Sequence, residues 1–294
     1  MSIQVRNIRY VYNEGLPDET VALDDVSFDL FDGEIAGLIG HTGSGKSTML
    51  QQLNGLLRPS EGTIVVEGKE ITSPTAVLRD VRRSVGLVFQ YPEYQLFEET
   101  IEKDVAFGPR NLGVPEDQIE ERVRKSLELV GLDYDEIHDR SPFDISGGQK
   151  RRAAIAGVLA MEPHVLVLDE PTAGLDPEAH RDIIEMIKRI HEERKGIIVF
   201  VSHNMMDVAE LSDHVIVMDR GRIITVDTPK NVFANRALLE GIGLDVPPVT
   251  AFMHDLKSRG IDVGTDALTY DEASDAILKY FGMVPEDEGG EQSC

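Results

Sequence analysis

Residues 40–47 read Gly40-His41-Thr42-Gly43-Ser44-Gly45-Lys46-Ser47, which satisfies the phosphate-loop pattern G-x-x-x-x-G-K-[ST]. The apolar run EIAGLIG (34–40) precedes it and the helical-looking STMLQQLNGLL (47–57) follows, the strand–loop–helix setting that the pattern demands. Gly43 and Gly45 allow the backbone to turn so that successive N–H groups face a phosphate. The following helix presents its positive N-terminus to the same anion. Lys46 would neutralise the β- and γ-phosphates, and the Ser47 hydroxyl would ligate Mg²⁺. The candidate nucleotide-binding set is therefore Gly40, His41, Thr42, Gly43, Ser44, Gly45, Lys46, Ser47 and Thr48. Within it, His41 fills a permissive position and reads as loop filler.

Downstream, VLVLDE (165–170) is an apolar strand ending in Asp169-Glu170. An aspartate there can hold Mg²⁺, and a glutamate one residue on can orient or deprotonate an attacking water. With a phosphate loop upstream, the pair points to nucleotide hydrolysis.

VLVLDE and GIIVFVSH (196–203) are continuous apolar runs of the buried parallel-strand type. Between them PEAHRDIIEMIKRIHEERK places Ile183, Ile184, Ile187 and Ile190 on one helical stripe. Strand, helix and strand in that order make a βαβ unit, hence a covered parallel sheet and an α/β fold. Residues 3–12 and 21–30, GTIVVEG and RSVGLVFQ read as further strands, and HVIVMDRGRII (214–224) as a hairpin. Residues 92–160 form a helical insertion. Ile119, Val123, Leu127 and Val130 mark one amphipathic helix there, and KRRAAIAGVLA a second. The expected division is a main domain over 1–228 and a small C-terminal, α-rich extension over 229–294. Two short helices are expected in that extension near 250–259 and 271–281, with PEDEGGEQSC as a frayed tail.

The chain has 294 residues, 53 acidic against 29 basic, and a net charge of −24. Such a balance opposes nucleic-acid binding, which relies on cations displacing phosphate counterions, and docking on anionic lipid through a basic patch. The single cysteine, Cys294, suits a reducing compartment. No stretch approaches the ~18 apolar residues of a membrane span, and the opening MSIQVRNIRY does not read as a signal peptide. Any membrane role is expected to come through a protein partner, with no direct insertion.

Three further segments, Ile145-Ser146-Gly147-Gly148-Gln149, Ala173-Gly174-Leu175-Asp176 and Ser202-His203, complete an ordered set. Together with the phosphate loop and Asp169-Glu170, they resemble the ATP-binding cassette ATPases over about residues 3–228. The resemblance implies a P-loop cassette with a mixed β core and a helical subdomain over about 92–160. It makes Gln90 the Q-loop glutamine and a metal ligand beside Ser47 and Asp169. Ser146, Gly147, Gly148 and Gln149 become the signature, Asp176 the D-loop aspartate and His203 the switch histidine. Glu170, His203 and Gln90 are then the catalytic group, with ATP and Mg²⁺ as ligands. Tyr12 is the choice for adenine stacking, and Tyr10, on the same strand, the runner-up. Taken singly, each has a plainer explanation: SGGQ could be a helix cap, and His203 a structural histidine. In this family the signature closes over nucleotide held by another ATPase domain, so one phosphate loop with one signature implies pairing. Two departures stand out: Ile145 replaces the usual leucine, and AGLD replaces SALD, removing a serine hydroxyl.

GHTGSGKST, Gln90-Tyr-Pro-Glu-Tyr-Gln-Leu-Phe97 and EETIEKDVAFGP look like the energy-coupling factor (ECF) importers, closest to the second of their two paralogous ATPases. That implies a second ATPase subunit (a paralogue or a second copy), a transmembrane coupling subunit and a membrane protein that captures a vitamin or transition-metal ion. The chain would sit peripherally on the cytoplasmic face. Tyr91 to about Pro109 would help form the groove for the coupling subunit's helices, and the C-terminal 66 residues resemble the extension used for pairing. Other transporter branches, and a switch protein without a membrane partner, remain as alternatives.

Overall fold

The computed structural model describes residues 2–283, with the side chains from Ile3 onward; the tail expected at PEDEGGEQSC lies outside the described residues. β1 (Ser2–Tyr12) and β2 (Thr20–Phe31) lead to β3 (Ile35–Ile39) and α1 (Lys46–Leu53). β4 (Glu61–Val66), β5 (Lys69–Glu70) and α2 (Leu78–Ser84) precede β6 (Val85–Val88). The stretch before β7 (Val165–Asp169) holds α3 (Ile101–Asn111), α4 (Ile119–Leu129), α5 (Tyr134–Ile137) and α6 (Gly147–Leu159). Next come α7 (Pro177–Arg194), β8 (Ile197–Val201), α8 (Met205–Leu211), β9 (His214–Asp219) and β10 (Arg222–Asp227). The C-terminal part is α9 (Pro229–Ala234), α10 (Arg236–Gly241), α11 (Pro248–Ser258) and α12 (Tyr270–Tyr280).

Two sheets result. The first is antiparallel in the order β2-β1-β4-β5, and the second runs β10-β9-β3-β8-β7-β6. Within the second, β9, β3, β8, β7 and β6 are parallel, and only β10 is antiparallel, at the edge. Its central strands β3, β8, β7 and β6 are apolar almost throughout because both faces are covered. Leu166, Leu168, Ile198 and Phe200 turn toward the core shared with α3, α4, α6 and α7. Val165, Val167, Ile197 and Val199 turn toward α1 and the antiparallel sheet. Successive strand residues point to opposite faces, so one apolar run serves two cores.

The amphipathic helix is α4, whose Ile119, Val123 and Leu127 are buried; Val130 is its C-cap residue and equally buried. The Ile183–Ile190 stripe lies on the buried face of α7, as expected. The helix after the phosphate loop is shorter than its apolar pattern suggests. It ends at Leu53, where Asn54 donates Nδ2 to Val85 O at 2.5 Å and Gly55 takes a positive φ of 71°. Two expected C-terminal helices are α11 and α12. The structure adds α9 and α10, whose Val232, Phe233 and Leu239 belong to the main core. Residues of α11, α12 and the stretch between them instead build their own small cluster around Val249, Met253, Val263 and Ala273.

The parallel arrangement positions the site. β3 ends at Ile39, β6 at Val88, β7 at Asp169 and β8 at Val201. These strands are neighbours in the order β3-β8-β7-β6, so the phosphate loop, His203, Asp169-Glu170 and Gln90 all emerge at one edge. Open α/β sheets bind ligands at that carboxyl edge.

Candidate functional site

The phosphate loop turns on two glycines in the left-handed region, Gly43 at φ 83° and Gly45 at φ 102°. Gly45 has a second reason to lack a side chain: a Cβ there would lie 2.6 Å from Ala22 O. A Cβ at Gly40 would collide with Ser44 Oγ and Met218 O. Lys46, only 7% exposed, donates Nζ to Gly40 O at 2.6 Å and to His41 O at 3.0 Å. Burial pulls its pKa down, and the charges of Glu170 and Asp169 push back. Ser44 is fully buried and its hydroxyl finds no partner.

Asp169 accepts a hydrogen bond from the Ser47 side chain. Burial raises the pKa of this carboxyl, the Ser47 bond opposes the rise, and the Glu170 charge adds to it. A buried carboxylate held up in this way gains from a nearby cation. Hydroxyl, carboxylate and amide oxygens from Ser47, Asp169 and Gln90 are the hard donors that Mg²⁺ prefers. The donor set fits that ion.

Glu170 stands at the centre of the arrangement. Gln90 donates Nε2 to its Oε2 at 2.8 Å, and His203 Nε2 lies 3.0 Å from its Oε1. Each carboxylate oxygen thus has one of these side chains beside it. Glu170 has φ 51°, a conformation costly for a residue with a Cβ and one that concentrates at functional sites. The turn after it is held from two sides. Thr172 donates to Asp207 Oδ2 at 3.2 Å, and Arg151 reaches Pro171 O and Ala173 O. Asp207, almost fully buried, also accepts from Ser202, Asn204 and His180. It thus ties the loop carrying His203 to α7.

Tyr12 is 37% exposed and meets Thr48 Oγ1 through its hydroxyl at 3.2 Å. Tyr10 packs on the core and touches Tyr12 edge-on, with centroids 4.8 Å apart. Of the two rings, Tyr12 is the one open to solvent beside the phosphate-loop helix. Asp176 caps α7, accepting from Glu178 N and Ala179 N at 3.0 Å, and these amides hold its pKa down.

Ser146 is the N-cap of α6. Its Oγ accepts from Gln149 N at 3.2 Å while Gln149 Oε1 accepts from Ser146 N at 3.0 Å, a capping box. The plainer explanation of SGGQ as a cap is thus true of the local structure. Gly147 and Gly148 have open space where a Cβ would stand. Ser146, Gly147, Gly148 and Asp176 line a cleft of about 610 Å³ with Tyr91 and Glu93, and no phosphate-loop residue lines it.

Sequence reasoning missed Asp219, Asp207, Glu93 and Arg151. His41, read as loop filler, is engaged through its ring: Nε2 lies 2.7 Å from Asp219 Oδ1, and Nδ1 is 2.7 Å from Thr42 O. Asp219 lies 178 residues from His41 and Arg151 58 residues from Glu93, and no local motif marks such pairs.

The fold and this edge constellation define a P-loop ATPase of the ATP-binding cassette class. The family model described as ABC transporter matches residues 23–173. The energy-coupling factor transporter ATP-binding protein EcfA2 of Caldanaerobacter subterraneus subsp. tengcongensis is 54% identical over 280 residues, covering 95% of this chain and 98% of the relative. The protein so named from Clostridium perfringens is 52% identical over 279 residues, at 95% and 98% coverage. Among solved structures, cbiO1 from Clostridium perfringens, part of the ABC transporter complex cbiONQ, superposes with a TM-score of 0.71. It shares 38% identity over 86% of this chain and 98% of its own. A dimeric post-hydrolysis ATP-binding cassette, MJ0796 bound to ADP and Pi, gives a TM-score of 0.68 at 25% identity over 77% and 98%. The chain belongs to the ABC transporter ATPases and, within them, to the ATP-binding proteins of energy-coupling factor transporters. Among the described residues, no helix is long and apolar enough to cross a membrane.

Proposed function

We propose that this ATPase drives ECF-type import of a vitamin or transition-metal ion by hydrolysing ATP at composite sites between two ATPase subunits. The observation that carries the reading is Glu170, bracketed by Gln90 and His203 beside the phosphate loop. Glu170 orients the attacking water and accepts its proton. His203 and Gln90 hold the carboxylate in place, and His203 is near enough to donate to developing charge. Lys46 and the loop amides bind the phosphates, and Tyr12 stacks on the adenine. Ser47, Asp169 and Gln90 would hold Mg²⁺, which supplies charge neutralisation at the phosphate oxygens.

Ser146, Gly147 and Gly148 cap the nucleotide of the partner subunit. The position of the signature in a cleft apart from the phosphate loop supports this arrangement, as does the dimeric form of the MJ0796 cassettes. The remaining partners are a transmembrane coupling subunit and a membrane protein that captures the solute, with the chain peripheral on the cytoplasmic face. Exposed Tyr91, Tyr94, Phe97 and Phe107 offer the coupling subunit an apolar surface. We assign the main ATPase domain to 1–228, with its helical subdomain at about 92–160, and the pairing extension to 229–294.

The test is purification from membranes with a tag on this chain. A transmembrane partner and a second ATPase are expected in the same fraction, with ATP hydrolysis that Glu170→Gln abolishes. Purification without any transmembrane protein, or turnover equal in the variant, overturns the reading.

A further inference from the structure

Arg151, in the second turn of α6, is 2% exposed. Its guanidinium spans two other segments. Nε donates to Glu93 Oε2 at 3.0 Å and Nη2 to Glu93 Oε1 at 2.8 Å, a bidentate pair. Nη1 donates to Pro171 O at 3.1 Å and to Ala173 O at 2.8 Å. Its carbon lies 5.8 Å from the centre of the Tyr91 ring.

Each segment it joins carries a residue of the proposed site. Glu93 lies in the 3₁₀ turn Pro92–Gln95, three residues after Gln90. Pro171 follows Glu170 directly, and Ala173 N closes a turn onto Glu170 O at 3.1 Å. Arg151 itself is five residues beyond Ser146 on the same helix. One buried cation therefore holds the backbone behind Glu170, the turn behind Gln90 and the helix that presents the signature.

Packing alone does not account for an arginine here. A buried ion pair is on average no more stabilising than apolar side chains of similar volume, because desolvation offsets the attraction. A planar fork with five fixed donors does supply defined geometry between the groups it binds. Carbonyl oxygens of the Glu170 turn are held by a side chain that cannot shift without disturbing α6.

We infer that Arg151, paired with Glu93, is a positioning residue that sets the orientation of Glu170 and links it to the signature helix and the Gln90 segment. The inference rests on the proposed role of Glu170. Arg151 touches neither the phosphate loop nor Tyr12, so its loss is expected to fall on turnover more than on the ATP contacts of its own chain.

The experiment uses the full chain in its membrane complex with MgATP as the probe. Steady-state hydrolysis and nucleotide affinity are measured for wild type, Arg151→Lys, Glu93→Gln, the double variant and Glu170→Gln. Arg151→Lys keeps the charge but loses the fork, and Glu93→Gln keeps the volume but loses the charge. Each is expected to lower kcat about ten-fold, within the ~10²-fold that a 1 Å misplacement of catalytic groups can cost, with KM within two-fold of wild type. The double variant is expected to be no slower than the slower single one, because both changes break one unit.

A kcat within two-fold of wild type in both single variants overturns the inference. So does a KM that rises while kcat holds, or losses that multiply in the double variant. Should Arg151→Lys fail to assemble, Glu93→Gln carries the same test. If Glu170→Gln turns over like wild type, the reading of Glu170 falls. If Glu170→Gln is dead and both Arg151→Lys and Glu93→Gln are normal, only the present inference falls.

Discussion

The imidazole of His41 lies between Asp219 Oδ1, 2.7 Å from Nε2, and Thr42 O, 2.7 Å from Nδ1. Asp219 ends β9, and the hairpin turn after it also touches the phosphate loop, with Gly221 N donating to Ser44 O at 3.0 Å. The loop is thus braced against the β9–β10 turn by a side chain and by the backbone. His41→Ala removes the side-chain brace and leaves Lys46 and Ser47 in place. For a half-exposed bond to a charged partner, a loss of about 1 kcal/mol corresponds to a roughly five-fold rise in KM for ATP. Asp219→Asn should act in the same direction, and the two changes together should cost little more than either. ATP titration of the three variants checks this, and fully additive effects would show that the pair does not act as a unit.

Glu170→Gln keeps the side chain's size and removes its ability to accept a proton. Turnover is expected to fall by about 10²–10⁴, the usual worth of a positioned base, while ATP binding survives. The variant should therefore accumulate as an ATP-bound pair of subunits. Sedimentation with and without MgATP reads the outcome, and a species that never pairs contradicts the composite site.

Lys46→Ala and Ser146→Arg damage opposite halves of the proposed composite site. Each alone should be inactive in a pair of identical copies. Mixed one to one and randomly paired, they should recover about a quarter of wild-type turnover, since half the dimers carry one intact site of two. A site confined within one chain would recover nothing on mixing.

Gly45→Ala forces a side chain into φ 102° and to within 2.6 Å of Ala22 O. Backbone strain of this type costs about 1–3 kcal/mol. Urea unfolding should show that loss, and ATP binding should weaken as the loop is displaced. Gly43→Ala, with open space around the new carbon, should cost less, which separates steric collision from φ alone.

Glu93 supplies a pH signature. Burial pushes its carboxyl up, but hydrogen bonds from Arg151 and its own backbone outweigh this and leave the pKa below the ordinary glutamate value. A carboxyl depressed in the folded state stabilises it above the unfolded pKa of about 4.3 and loses that contribution as pH falls through the folded value. The stability difference between wild type and Glu93→Gln should be constant at neutral pH and shrink below about pH 4.3. Denaturant titrations across pH 3–7 measure it, and a difference independent of pH would mean that Glu93 gains nothing from Arg151 in the folded state.

Much of the fold was legible because it rests on local pattern. The loop at 40–47, the apolar runs of β7 and β8, and the stripe on α7 needed only periodicity and glycine chemistry. Helix limits shifted where capping decided them, as at Asn54 and Gly55 beyond α1. Among the helices that escaped notice, α2, α8, α9 and α10 span six or seven residues each and α5 only four. At that length the apolar pattern is too brief to show a period, and tertiary packing stabilises the turn.

The sequence by itself determined the chemistry: which residues can bind phosphate, hold Mg²⁺ and take a proton, and in what order along the chain. It determined the parallel sheet as well, since strands apolar on both faces must be covered on both. Only the tertiary structure decided which of these groups meet. Neighbouring parallel strands bring Gln90, Glu170 and His203 to one edge although 80 residues separate the first two. The same fold holds Ser146 on a helix whose cleft excludes Lys46. Arg151 to Glu93 and His41 to Asp219 are contacts across 58 and 178 residues. A linear pattern carries no signal for such pairs, because loop closure brings them together only once the sheet has formed.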